Sequence, residues 1–404
     1  MKKVLIISYF YPPLGGPGAL RILNFTKYLP KYGWESYVIS VKNPDRYFNI
    51  MGKEKVPEDI KVYYTKNILP LGWAQLGMEK YFGIKNFYSI PDIYIGWLIP
   101  TVLKAKKIIE KENIDLIFTS SLPWTSSLIG VLLKKLTRKP LVIEFRDAWS
   151  FNPYIRYPTK SHAWLNLNLE NICLRVCDYF ITVMEYILNK YKQKYDNLEK
   201  KSAVIYNGFT SFNLESNKFE KFTVVHIGSF YGSRSPEEFL EALESCISKM
   251  LPKTEIQFLV IGKQKKRFVD ILEKYEIVRI LDTVSNEEVG KFIFNSHLLL
   301  LIEKTNSLTT KIFEYLASGN PILALIPEGE AAQMIRKYSD NSYIITDYDN
   351  TQKIAEAIYD CYTKWKEGKL NKEISKKTIE FRKKFNREAE TKQLAEIFDK
   401  VMAG

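Results

Sequence analysis

Continuous apolar runs alternate with amphipathic segments along this chain, and they do so in two successive series. The first series opens at residues 3–8 and the second at 222–228. Uninterrupted apolar runs are typical of parallel strands buried on both faces, whereas half-exposed strands alternate polar with apolar side chains. Strands that alternate with helices favour βαβ units. The sequence therefore predicts an α/β protein with two doubly wound, Rossmann-like domains.

The same periodicity predicts the individual elements. In the first series we predict further strands at 36–41, 115–119, 140–145, 178–183 and 202–205, with helices at 17–31, 101–112, 126–136 and 164–176. In the second series we predict further strands at 255–261, 277–281, 297–302 and 321–325. The polar segment 207–221 is the predicted linker, so the domains are expected at 1–206 and 222–380. Because doubly wound sheets bind ligands beyond the carboxyl ends of their strands, we expect an interdomain cleft to hold the ligand.

The amino-acid composition favours a globular protein with two hydrophobic cores and argues against several other classes of protein. The 404 residues are 46% hydrophobic and 26% charged, which suffices for two ordinary cores. The four cysteines lack both metal-ligand spacing and the density of a disulfide framework, and three histidines are too few for a histidine-rich metal site. The net charge of +13 suits an anionic substrate or an anionic membrane surface, although a lysine-rich genome would produce the same balance. No nucleic-acid-binding motif is present, so we expect no nucleic-acid partner.

The beginning of the chain resembles a signal peptide only superficially. Its apolar run ends at 12–16 in prolines and glycines, without a small-residue cleavage site. No apolar stretch reaches the length that a membrane-spanning helix needs. We therefore expect a cytoplasmic protein.

Three loops stand at predicted strand ends. The loop at 11–18 carries Gly15 and Gly16, which would let the backbone approach a phosphate; a tight turn without a ligand is the alternative. Its spacing misses the dinucleotide fingerprint, which argues against a nicotinamide enzyme.

The loop at 228–236 carries Ser229 and Arg234, and a guanidinium binds phosphate in a bidentate manner. The alternative for Arg234 is a solvated side chain beside two glutamates.

The third loop, at 144–149, places three ionisable residues and a tryptophan at the end of a buried strand. Such groups are costly to bury unless they pair or bind a ligand. We name Arg146 and Asp147 as candidate catalytic residues that position the acceptor or the transferred group. The alternative is an ion pair of Arg146 with Asp147 or Glu144.

The segment 309–321 predicts a helix with an anion site at its start. Thr309 and Thr310 open the helix, and Lys311 adds a cation in the first turn, where it needs an anionic partner. Glu314 follows one turn later, within reach of a hydroxyl beyond a bound phosphate. Phosphate first and sugar hydroxyl second is the order of groups in a nucleoside diphosphate. An ordinary amphipathic helix with a surface glutamate is the alternative.

These segments resemble the group 1 glycosyltransferases, retaining enzymes of the GT-B fold. The helix at 309–321 resembles their donor-site helix, and the element at 145–149 resembles one found in a subgroup that builds surface polysaccharides. The resemblance implies that Arg234 and the first turn of the helix bind the donor diphosphate and that Glu314 binds the ribose. It also implies that Gly15 and Gly16 lie below the diphosphate. The tail at 381–404 is then expected to cross back to the first domain.

The chain departs from the family pattern at two places. Asn306 stands where the first of two glutamates is expected, and the segment 119–124 lacks the usual histidine. The resemblance nevertheless implies a retaining glycosyltransferase that transfers a sugar from a UDP- or GDP-linked donor to a hydroxyl acceptor. A nucleotide-sugar 2-epimerase-like isomerase and a non-catalytic nucleotide-sugar-binding protein remain as alternatives.

The implied glycosyltransferase reaction also leads to expectations about metal dependence and binding partners. We expect no cofactor and no metal, because the leaving phosphate would be stabilised by Arg234, Lys311 and backbone amides, and we interpret the acidic segment 347–349 as a turn. A glycan or a lipid-linked acceptor is expected. Aromatic residues beside lysines suit contact with the anionic inner face of the cell membrane, although they would equally pack a long insertion. These aromatic residues are Trp73, Tyr81, Phe82, Phe87, Tyr88, Tyr94 and Trp97.

Overall fold

The computed structural model describes residues 1–42, 56–69, 90–152, 155, 157–210, 217–347, 350–370 and 374–404. The chain forms two compact units. Met1–Tyr206 and Arg387–Gly404 make the first unit, and Asn207–Asn386 make the second. The described part of the predicted linker and residues 381–386 of the predicted tail thus belong to the second unit.

The first unit is built on a parallel sheet. Among the described residues the sheet has seven strands in the order β3-β2-β1-β4-β5-β6-β7. The strands are β1 (Lys2–Ile7), β2 (Trp34–Val41), β3 (Lys61–Thr65), β4 (Leu116–Ser121), β5 (Leu141–Phe145), β6 (Tyr179–Thr182) and β7 (Ser202–Val204). The helices between them are α1 (Pro17–Tyr28), α2 (Leu98–Glu112), α3 (Thr125–Thr137), α4 (Lys160–Val176) and α5 (Glu185–Lys194).

The second unit repeats this arrangement with a parallel sheet in the order β10-β9-β8-β11-β12-β13. Its strands are β8 (Phe222–Ile227), β9 (Ile256–Ile261), β10 (Val278–Leu281), β11 (Leu298–Ile302), β12 (Ile322–Leu325) and β13 (Tyr343–Ile345). Its helices are α6 (Glu237–Lys249), α7 (Lys266–Leu272), α8 (Asn286–Asn295), α9 (Thr310–Ser318), α10 (Glu330–Tyr338), α11 (Thr351–Lys366) and α12 (Lys376–Lys384). The two sheets confirm the predicted α/β architecture.

The last helix, α13 (Arg387–Ala403), packs against α1 in the first unit. Phe398 lies 5.2 Å from the ring of Trp34 and 5.5 Å from that of Phe118, edge to face in both cases. This arrangement is favourable for aromatic rings in a core. Burial of its apolar face thus fixes α13 on the first unit.

A buried charge network adds to this attachment. Arg21 on α1 is 1% exposed and binds Glu144 at 2.7 Å. It also pairs with Glu390 on α13 and donates to the carbonyl oxygens of Ile205 and Tyr206. Arg21 therefore ties together the end of β5, the last residues before the second unit and the returning helix.

No helix in the described part of the chain combines the length and the apolar character needed to cross a membrane.

Candidate functional site

The carboxyl ends of β8 and β11 meet at the centre of the second sheet. The chain passes from β8 to β9 on one side and from β11 to β12 on the other, so the strand order reverses between β8 and β11. Doubly wound sheets bind their ligands at this point. Gly228 follows β8, Glu303 follows β11, and α9 begins a few residues later.

Lys311 stands in the first turn of α9 and lies against the loop after β8. Gly228 has a φ of 101°, a conformation that favours glycine. An added Cβ on Gly228 would lie 3.0 Å from Cε and 3.1 Å from Nζ of Lys311. Burial lowers the pKa of Lys311 to about 8, while the charge of Glu303 acts to raise it and that of Arg234 to lower it further. A bound anion would raise this pKa and favour the charged form of the lysine.

The start of α9 offers hydrogen-bond donors that are not used within the helix. Thr309 precedes the helix, and its side chain makes no capping hydrogen bond. Its hydroxyl oxygen is buried and has no hydrogen-bond partner among the described residues. The first backbone amides of a helix have no partner within the helix, and the helix dipole favours an anion there. Thr309, Thr310 and Lys311 therefore place a buried hydroxyl, helix-start amides and a cation together, at the position where the sequence predicts an anion site.

Arg234 is 8% exposed and does not form the solvated pair considered from the sequence. Its guanidinium binds Glu303 at 2.5 Å and lies 4.4 Å from the ring centre of Tyr231, whose hydroxyl it also contacts. Its Nε is buried without a hydrogen-bond partner in the described part of the chain. Arg234 is thus held in place while part of its donor capacity stays free.

Sequence reasoning missed Glu303, which is fully buried directly after β11. The available signal was a single acidic residue at the end of an apolar strand. It also missed Gln264, whose side chain accepts from the amide of Phe230 at 2.9 Å and donates to the carbonyl of Gly228 at 3.0 Å. Gln264 therefore braces the loop that carries Arg234. Ser229 in that loop is exposed and donates to the carbonyl of Lys263 at 2.6 Å.

Glu314 and Asn306 occupy the remaining positions of the predicted donor motif. Glu314 is half-buried one turn beyond Lys311, and its charge acts to raise the pKa of that lysine, so the two groups are neighbours. Asn306 is exposed and lies against Gly329, where an added Cβ would be 2.7 Å from the Asn306 Oδ1. Gly329 precedes α10, so Asn306 contacts the start of the next helix.

In the first unit the structure brings the glycine loop and Arg146 together. Gly16 precedes α1 with a φ of 102°. A Cβ on Gly18 would lie 1.5 Å from the Arg146 guanidinium, so a side chain at this position would displace the guanidinium. Arg146 donates to the carbonyl oxygens of Ser121 at 2.7 Å and Leu122 at 2.9 Å. Its guanidinium is therefore fixed against Gly18 in the first turn of α1.

The other residues of the third loop lie in different environments. Glu144 binds Arg21 and accepts from Ser120 at 2.6 Å, so it is not the partner of Arg146 considered from the sequence. The side chain of Asp147 is exposed. Trp149 is buried, stacks on Trp124 with ring centres 5.0 Å apart, and is therefore a core residue.

Two family models match the chain. Residues 18–210 match the model described as Glycosyltransferase Family 4, and residues 221–364 match the one described as Glycosyl transferases group 1. Only residues 1–17, 211–220 and 365–404 lie outside these matches. The chain belongs to the group 1 glycosyltransferases. It is therefore an enzyme that transfers glycosyl groups.

Solved structures share the fold of this glycosyltransferase. Sucrose-phosphate synthase from Thermosynechococcus elongatus superposes with a TM-score of 0.69 at 15% identity, covering 100% of both chains. HepE from Anabaena in complex with UDP gives 0.68 at 17% identity, covering 99% of this chain and 100% of HepE. The trehalose 6-phosphate synthase of Burkholderia multivorans gives 0.64 at 11% identity, with coverages of 100% and 97%. These neighbours confirm the GT-B fold. Comparison with curated protein sequences finds no match.

Proposed function

We propose that this glycosyltransferase takes its sugar from a nucleoside-diphosphate donor bound at the start of α9. The buried Arg234 and the half-buried Lys311 beside a helix start carry this proposal, because a diphosphate supplies negative charge and acceptor oxygens beyond the carboxylate of Glu303 that Arg234 already binds. The buried hydroxyl of Thr309, which has no partner among the described residues, offers one more donor. Glu314 follows one turn later, where the family resemblance implies a contact with the ribose.

A UDP-sugar is the first candidate donor and a GDP-sugar the second. HepE shares the fold and has been crystallised with UDP and with UDP-glucose. The matched glycosyltransferase domains favour transfer over the epimerase alternative.

The proposed chemistry places growing negative charge on the donor phosphate as the glycosidic bond breaks. Arg234, Lys311 and the first amides of α9 stabilise that charge by electrostatics. The acceptor hydroxyl attacks from the leaving-group face, its oxygen forms the new glycosidic bond, and a phosphate oxygen takes its proton. This course retains the configuration of the sugar, as the resemblance implies, and uses no metal ion. Arg146, held at the start of α1, and the exposed Asp147 position the acceptor hydroxyl or the transferred sugar.

We propose a glycan or lipid-linked acceptor of surface polysaccharide synthesis, presented at an anionic membrane surface. Of the aromatic residues that suggested this contact, Trp97 is buried in the core and Tyr94 is half-buried, while the other five lie outside the described residues. Stronger support comes from α2, α3 and α4, which pack side by side in the first unit. Their exposed apolar side chains include Ile99, Leu103, Leu132, Leu136, Trp164, Leu165, Leu167 and Ile172. Exposed cations on the same helices are Lys104, Lys106, Lys107, Lys111, Lys135, Lys160 and Arg175. Apolar side chains among cations favour an anionic lipid surface.

Transfer without added metal tests the proposed reaction. Radiolabelled UDP- and GDP-sugars are mixed with the protein and an acceptor extract in excess EDTA. We expect labelled product at a rate close to that with magnesium, because cations of the protein stabilise the leaving group. Loss of transfer in EDTA that added divalent ions restore would contradict the mechanism, and an isomerised donor would favour the epimerase alternative.

Sedimentation with lipid vesicles tests the membrane contact. We expect the protein to sediment with vesicles that contain phosphatidylserine and to stay in solution with vesicles of phosphatidylcholine. A protein that stays in solution with both would contradict the contact without affecting the proposed donor site.

A further inference from the structure

Glu303 lies in the candidate donor site but has no task in the reaction proposed above. It is fully buried at the carboxyl end of β11. Its Oε2 contacts Arg234 at 2.5 Å and accepts a hydrogen bond from Ser307 at 3.0 Å. Its Oε1 is buried and has no hydrogen-bond partner within the described ranges. The Glu303–Arg234 pair is therefore incompletely satisfied on both sides, since Nε of Arg234 also lacks a partner there.

The charges around Glu303 explain why a carboxylate is tolerated at this depth. Burial raises its pKa, while Arg234 and Lys311 act in the opposite direction. Glu303 is thus the direct counter-ion of the buried Arg234, whereas Lys311 has a second carboxylate neighbour in Glu314. Removing Glu303 would leave Arg234 buried without a counter-ion, which is costly.

We propose that Glu303 is an internal counter-ion, which holds Arg234 while the donor site is empty and weakens the binding of the nucleoside diphosphate. This inference rests on the proposed function, because it requires a diphosphate on Arg234. A bound diphosphate and Glu303 then compete for one guanidinium, and their like charges repel each other at short range. Glu303 acts through Arg234 and is therefore a positioning residue. Its repulsion favours release of the nucleoside diphosphate after sugar transfer.

Glu303→Gln separates charge from shape. Glutamine has nearly the same size and keeps an oxygen that accepts from Arg234 and Ser307, but it carries no charge. In a partly buried site with an effective dielectric constant of about 20, removing one nearby like charge should tighten UDP binding by at least about tenfold. Uridine, which has no phosphate, should bind with unchanged affinity. Structural damage would weaken the binding of both ligands, so a selective gain distinguishes the charge effect from damage.

Isothermal titration calorimetry of the full chain with UDP, GDP and uridine provides the test. Glu303→Met, which removes the same charge with an apolar side chain of similar length, is the second variant in case the glutamine variant folds poorly. Glu276→Gln is the matched control, because Glu276 pairs with Lys253 at 2.6 Å on the exposed surface before β9 and β10, at the other end of the sheet. The control should bind each ligand as the wild type does.

We expect both Glu303 variants to bind the nucleoside diphosphate more tightly than the wild type. Without added ligand, Glu303→Gln should melt at a lower temperature than the wild type. Wild-type binding of UDP or GDP with unchanged or weaker binding by the variants would overturn the role of Glu303 alone. A wild type that binds neither UDP nor GDP would overturn both this role and the proposed function.

Discussion

Arg234→Ala and Lys311→Ala should each weaken nucleoside-diphosphate binding by about 1.5–3 kcal/mol, the range for hydrogen bonds to charged groups. The reason is that each variant removes one of the two cations of the candidate donor site, the buried Arg234 or the half-buried Lys311. Binding of the nucleoside alone should change far less, because it offers no phosphate. Calorimetric titration with UDP, GDP and the matching nucleosides measures both effects.

Lys253→Ala is the control for these two variants. Lys253 is an exposed cation of the second unit that pairs with Glu276 before the amino ends of β9 and β10. Its removal should leave nucleotide binding unchanged. Equal losses for nucleoside and nucleoside diphosphate in the Arg234 and Lys311 variants would mean that the fold had been damaged, which would contradict a phosphate contact.

The pH dependence of binding provides a second readout of Lys311. Burial lowers its pKa to about 8, and a bound diphosphate should raise that pKa. Binding is then favoured by the protonated lysine, so the affinity is full below pH 8 and falls as the pH rises above it. Lys311→Ala should lack this decline. An unchanged decline in the variant would assign the titration to another group.

Arg21→Met should destabilise the protein by about 3–5 kcal/mol, the usual effect of removing one partner from a buried ion pair. Arg21 holds the carboxylates of Glu144 and Glu390 in the core of the first unit. Methionine would leave Glu144 without its guanidinium partner, while Glu390 would keep its contact with Arg387, at 3.1 Å. Chemical denaturation followed by tryptophan fluorescence measures the change.

Lys31→Ala is the matched control for Arg21. Lys31 also binds α13, through Glu388 at 2.9 Å, but both side chains are about half exposed. Exposed pairs contribute about 0–1 kcal/mol, so this variant should unfold close to the wild type. Similar losses in the two variants would contradict a special role for the buried network.

The elements that the sequence predicted well are those that bury continuous apolar runs. Every predicted strand is present with ends that differ by one or two residues. Among the described strands, β3 and β13 were not predicted, and both are short, partly exposed edge strands. The edge strands β7 and β10 were predicted, so edge position alone does not explain why β3 and β13 were missed.

The sequence predicted the location of site residues that stand in the loop after a strand or at the start of a helix. Lys311 and Arg234 belong to this group. Partners distant in sequence were not predictable: the sequence offered Glu144 or Asp147 for Arg146, whereas Glu144 binds Arg21. For the same reason Glu303 was missed, because its pairing with Arg234 depends on β8 and β11 lying side by side.

A thermal-shift panel of nucleosides, nucleoside diphosphates and nucleotide sugars tests the central claim most directly, since it requires no acceptor. A ligand at a hundred times its Kd adds roughly 2.7 kcal/mol to the free energy of unfolding. The account predicts that UDP or GDP and a corresponding nucleotide sugar raise the melting temperature, that the nucleoside has little effect, and that Arg234→Ala reduces the shift. A panel in which no nucleoside diphosphate or nucleotide sugar stabilises the wild type would contradict a donor site at the start of α9.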